Sequence, residues 1–84
     1  MIDGLPPQAP AFSVEKTIVC GKVDYVIESI YKDYKEIPMI IAKNEDSYVV
    51  FLSNQKTKTW TIIQFDKKIA CILETGQGYV KSNE

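Results

Sequence analysis

The run Gly21–Pro38, GKVDYVIESIYKDYKEIP, decides the fold. Val23, Val26, Ile27, Ile30, Tyr31 and Tyr34 recur at i, i+3, i+4, i+7, i+8 and i+11, which gathers them on one face of an α-helix. Cys20 lies three residues before Val23 and starts the same stripe. Asp24 and Glu28 come early and Lys32 and Lys35 late, as the helix macrodipole prefers, and Glu28 with Lys32 makes a favourable i, i+4 pair. The spacing predicts a helix from Gly21 to about Lys35. Pro38 then excludes further helix and biases the chain toward extended structure.

Beyond Pro38 the apolar period becomes two. Pro38 to Lys43, Ser47 to Ser53, Thr57 to Phe65 and Ile69 to Thr75 read as four strands rich in Ile, Val, Thr, Phe and Trp. The links Asn44-Glu45-Asp46, Asn54-Gln55-Lys56 and Asp66-Lys67-Lys68 are short and polar, so successive strands must run antiparallel. Gly76-Gln77-Gly78 closes the last strand as a turn; no helix follows that could aim its N-terminus at an anion. Before the helix, residues 1–16 carry Pro6, Pro7 and Pro10, which excludes helix and predicts an extended arm. The expected architecture is therefore α+β: a Pro-rich arm over 1–16, a single domain over 17–80 with one amphipathic helix packed on a four-stranded antiparallel meander, and a tail over 81–84.

This topology brings the two cysteines together. The helix ends where the first strand starts, so its N-terminus with Cys20 lies at the opposite end of the sheet. Four alternating strands start the last one at that same end, and Cys71 is its third residue. A bond between Cys20 and Cys71 would close a loop of about 50 residues, worth roughly 4 kcal/mol in the chain-entropy picture. The alternative is two reduced thiols packed as small hydrophobes. With Cys71 turned to the helix, Ile69, Leu73, Trp60, Ile62, Tyr48, Val50 and Leu52 share the inner face. Val49, Phe51, Thr61, Ile63, Phe65 and Ile72 are then left outward, more apolar surface than a solvated sheet face ordinarily carries. These six are the candidate protein interface, to be covered by the arm, a second copy of the chain, or a partner.

Composition narrows the chemistry. The 84 residues hold ten basic and eleven acidic side chains, no His, and only lysine among the bases. A histidine-dependent nucleophile, a histidine metal ligand and the bidentate arginine grip on phosphate or guanine are all missing from the chain. Two cysteines do not fill a tetrahedral metal site, so neither metal nor cofactor is expected. Glu28, Asp33, Glu45, Asp46 and Glu74 are the carboxylates available for acid–base work, most of them on a helix surface or in turns where solvation is their ordinary role. Lys56, Lys58 and Trp60 mimic a nucleic-acid patch, but Lys67 and Lys68 belong to the other end of the same strand, about 30 Å away. No nucleic-acid partner is expected. No apolar stretch approaches the ~20 residues of a membrane span, and the first segment has neither the basic start nor the apolar run of a signal peptide.

Cys20, the helix ending at Tyr34, Thr57-Lys58-Thr59-Trp60-Thr61-Ile62, Ala70-Cys71-Ile72-Leu73 and Gly76-Gln77-Gly78-Tyr79 together resemble a group of short uncharacterised proteins of alphaproteobacteria and marine bacteriophages. Those proteins carry a Cys before a helix, a Thr-Trp-Thr strand, and a last strand with Cys followed by glycine and an aromatic. The chain departs from them at Lys58, where glycine is usual, at Tyr79, where Trp is usual, and at Lys67-Lys68, which replace a glycine. Export signals in the bacterial members imply an oxidised cysteine pair; the Lys-only, Ile-rich composition here looks more like a phage member made in host cytoplasm. The resemblance implies a fold and no activity. The expectation for function is a non-enzymatic protein-binding module acting through its sheet face, with another protein or a second copy as partner. A phage structural component whose arm docks on a neighbour is the alternative.

Overall fold

The structure, a computed structural model, describes residues 16–80. The tail expected at 81–84 and all of the Pro-rich arm but its last residue lie outside the described residues. The elements are β1 (Val19–Lys22), α1 (Val23–Tyr34), β2 (Ile37–Lys43), β3 (Tyr48–Ser53), β4 (Thr59–Phe65) and β5 (Ile69–Gln77). They form one five-stranded antiparallel sheet in the order β1-β5-β4-β3-β2.

The expected four-stranded sheet is thus corrected to five strands. The meander from β2 to β5 has the predicted order, but Val19-Cys20-Gly21-Lys22 is a strand and not the approach to a helix. β1 pairs with β5, setting Cys20 opposite Cys71 and Gly21 opposite Ala70. Four residues are too few to display a period of two, and Cys20 also fits the helical stripe that follows. Lys22 is extended (φ −60°, ψ 138°) and no side chain caps the helix. Instead the Val23 N–H donates to the Lys68 carbonyl at 3.1 Å, so the β4–β5 turn supplies one of the partners that a helix start lacks. At the other end Lys35 turns left-handed (φ 57°) and its N–H returns to the Tyr31 carbonyl at 2.8 Å.

α1 lies over β5 and β1. Val26 and Ile30 are buried with Val50, Leu52, Ile63 and Ala70, and Val23, Ile27, Phe65 and Ile72 pack around them. The last two residues of the predicted stripe, Tyr31 and Tyr34, are instead exposed. Residues paired across an antiparallel ladder share a face. Val50 faces Ile63, Leu52 faces Thr61, Ile63 faces Ile72 and Phe65 faces Ala70, so these make the helix side. Phe51 with Ile62, Ser53 with Trp60, and Gln64 with Cys71 make the far side.

This reverses the expected faces of β4 and β5. Thr61, Ile63, Phe65 and Ile72, expected outward, lie on the helix side, while Trp60, Ile62, Ile69 and Cys71, expected under the helix, belong to the far side. Only β3 has its expected facing, with Tyr48, Val50 and Leu52 inward and Val49 and Phe51 outward. A one-residue change of phase moves every side chain of a strand to the other face. β4 is apolar in both phases, so alternation alone does not select one. The β4–β5 register shifts between Ile62 and Ile63 of β4, whose partners are Glu74 and Ile72; Leu73 of β5 is the extra residue of a bulge.

Candidate functional site

The six residues expected to form an interface are divided between core and surface. Ile63 is fully buried and Thr61 nearly so, at 0% and 3% exposure. Phe65 and Ile72 pack against the same core, and only Val49 and Phe51 lie on the far face, both half-buried. No single surface presents all six.

The far face carries its own cover. Phe51 and Trp60 stack with ring centroids 6.1 Å apart, and Tyr79 meets Phe51 edge-on at 5.9 Å. The Tyr79 hydroxyl lies 3.4 Å from Ser53 Oγ, and Lys58 Nζ stands 4.9 Å from the centre of the Tyr79 ring. Two glycines make this possible. Gly76 sits under the Trp60 ring, where an added Cβ would stand 2.6 Å from Cζ2. Gly78 turns the chain back at φ 100°, its N–H donates to the Lys58 carbonyl, and its carbonyl accepts from Trp60 Nε1 at 3.1 Å. Gly76-Gln77-Gly78 is the turn expected, but sequence reading did not foresee that it folds Tyr79 onto Phe51. The readable signal was an aromatic just past a Gly-x-Gly at the end of the strand beside Trp60.

Exposed apolar surface is concentrated on β2. It is an edge strand, all seven of its residues are exposed, and Ile40 and Ile41 reach 64% and 62%. Ile37 and Met39 are exposed as well. Natural edges are ordinarily blunted by charge, proline, shortness or a bulge, and Pro38 stands only at the second position of this strand. Here the one charge is the terminal Lys43, and a register shift between Pro38 and Ile40 bends only the start. The other edge, β1, is four residues long and joined to β5 by the Cys20–Cys71 disulfide.

The carboxylates considered for chemistry do not converge. Glu28 and Asp33 are exposed on α1, Glu45 and Asp46 occupy the β2–β3 turn, and Glu74 pairs with Lys16. Among the described residues no three His, Cys, Asp or Glu side chains are grouped as a metal site would need. The Asp66 carboxyl is held below its ordinary range chiefly by the Ile69 N–H and then by that of Lys68, both donating at 2.8 Å in the β4–β5 turn. Lys56 and Lys58 precede β4 while Lys67 and Lys68 follow it, so the basic residues stand at opposite ends. Among the described residues no helix is long and apolar enough to cross a membrane. Glu36, in the link from α1 to β2, is buried at 2% exposure. Comparison with family profiles, with curated proteins and with solved structures finds no match to this chain.

Proposed function

We propose that the chain is a non-enzymatic protein-binding module whose working surface is the β2 edge, and that its partner is a second copy of itself. The observation behind this reading is the exposure of all seven residues of Ile37–Lys43 at the rim of the sheet. An edge strand offers a row of unpaired backbone donors and acceptors, and antiparallel addition of another strand satisfies them. A two-fold pairing centred on Ile40 or Ile41 sets apolar side chains against apolar ones and keeps the two Lys43 ammonium groups apart. The six-residue sheet-face interface expected from sequence is not retained, because Ile63 and Thr61 are core residues.

Light scattering of the intact protein tests the reading. A dimeric mass is expected, falling to the monomer in Ile40→Lys and Ile41→Lys with an unchanged circular dichroism spectrum. A monomeric wild type at every concentration, or a dimer that survives both substitutions, would overturn it.

A further inference from the structure

The left-handed turn at Lys35 carries the chain from α1 into β2 and places Glu36 beneath the end of the helix. There a cleft of roughly 430 Å³ separates Ile30 and Tyr34 from the β4 and β5 residues Thr59, Thr61 and Thr75. Glu36 lines it, and its Oε1 is closed off from solvent with no hydrogen-bond partner among the described residues. A buried carboxyl without a partner is costly, since it has given up water and received nothing in return. Three of the described lysines point elsewhere. Lys35 Nζ points to the Lys32 carbonyl and lies over the Tyr31 ring, Lys58 Nζ lies over Tyr79 on the far face, and Lys16 pairs with Glu74.

We infer that this cleft is a binding site for a primary ammonium group borne on a short apolar stem. Three features select that chemistry. Glu36 supplies a negative charge, and the C-terminal end of α1, the negative pole of the helix, adds to it. Thr61 and Thr75 line the same cleft, so hydroxyl acceptors are available there beside the carboxyl for a group with three donors. Ile30 and Tyr34 line the cleft with aliphatic and aromatic surface, which suits an apolar stem and an ammonium beside a ring. Calcium or magnesium would need six or more oxygen ligands and more charge than one carboxyl provides, and zinc would need nitrogen or sulfur ligands that do not line the cleft. The volume lies within the usual range for small-ligand clefts. Asn54 Nδ2 donates to the Tyr34 carbonyl at 3.0 Å, tying the helix end beside the cleft to the β3–β4 turn.

The source of the ammonium is either a small free amine or a lysine side chain of a protein, and one titration separates them. The intact oxidised protein is followed by amide NMR while n-butylammonium, its neutral analogue n-butanol, or a lysine-centred pentapeptide is added. Saturable shifts at Glu36, Thr61 and Thr75 are expected with n-butylammonium, and affinity for n-butanol at least about tenfold weaker. Saturation by the pentapeptide at the same amides assigns the site to a protein lysine; its exclusion assigns it to a free amine. Glu36→Gln should abolish the preference for the cation. Thr75→Lys, at an exposed position that leaves the core intact, should abolish binding by placing an ammonium in the cleft from within. Shifts that never saturate, equal affinity for n-butanol, or n-butylammonium binding unaltered in both variants would overturn the inference.

Discussion

Cys20 and Cys71 stand directly opposite each other in β1 and β5, 4.0 Å apart at Cα, on the face of the sheet turned away from the helix. Their disulfide therefore staples an edge strand to its neighbour. The two residues are 51 apart in sequence, so the bond removes much of the freedom of the unfolded chain between them. In a domain of this size that constraint is a large share of the total stability. Reduction should lower the free energy of unfolding by about 4 kcal/mol. Urea unfolding with and without a phosphine reductant checks this, and a midpoint that does not move would show that β1 is held by its backbone pairing alone.

Ile63 has no exposed surface and contributes to the core with Val26, Ile30, Val50, Leu52 and Ala70. Ile63→Ala should destabilise the fold by about 2–5 kcal/mol, and Ile63→Lys should unfold it. A variant Ile63→Lys that stayed folded while losing partners would instead return the residue to the surface, as alternation in β4 first suggests. Thermal melts by circular dichroism separate the two outcomes.

Gly76 is the floor beneath Trp60, with no room for a Cβ against the indole. Gly76→Ala should displace the ring, break the Trp60 Nε1 bond to the Gly78 carbonyl, and cost about 1–3 kcal/mol. The expected readout is a red shift of Trp60 fluorescence, with loss of the near-ultraviolet signal from the Phe51–Trp60–Tyr79 cluster.

Asp66 closes the β4–β5 turn by accepting two backbone N–H bonds, and its carboxyl titrates below the ordinary range. A depressed folded value means that the charged form is the one the fold favours. Its stabilising contribution is present above the ordinary carboxylate range and is lost as the pH falls through the folded value. A carboxyl-detected NMR titration should place Asp66 below the ordinary value of an aspartate carboxyl. Asp66→Asn should keep the turn while removing this part of the acid sensitivity.

The helix was legible because Val23, Val26, Ile27 and Ile30 repeat with a period that only a helix turns to one side, and those four do meet the core. The meander was legible because Asn44, Asn54 and Asp66 each head a short polar link, and all three prove to be turns: Asn54 and Asp66 accept backbone N–H groups within them, and the Asn44 N–H bonds to the Ser47 carbonyl. The meeting of the cysteines followed from the directions of the helix and strands, although Cys71 faces away from the helix and the bond joins two strands, not a helix start to a strand. Facing was not legible. Thr59-Trp60-Thr61-Ile62-Ile63-Gln64-Phe65 offers an acceptable core in either phase, so its local pattern is degenerate. Glu36 gave no signal either, because a charged residue between a helix and a strand is ordinarily solvated.

From its sequence alone the chain determines one helix, the order and direction of β2 to β5, and the meeting of Cys20 with Cys71. These depend on periodicity and on short links, which act over a few residues at a time. Tertiary structure decided the fifth strand, the side of the sheet that the helix covers, the fold-back of Tyr79 and the burial of Glu36. Each of these is a contest between distant segments for the same neighbours: β1 for the open edge of β5, Ile63 against Trp60 for the core, Tyr79 for the Phe51 ring. No local pattern ranks such contests, because the free energy that settles them is gained only once the surfaces have met.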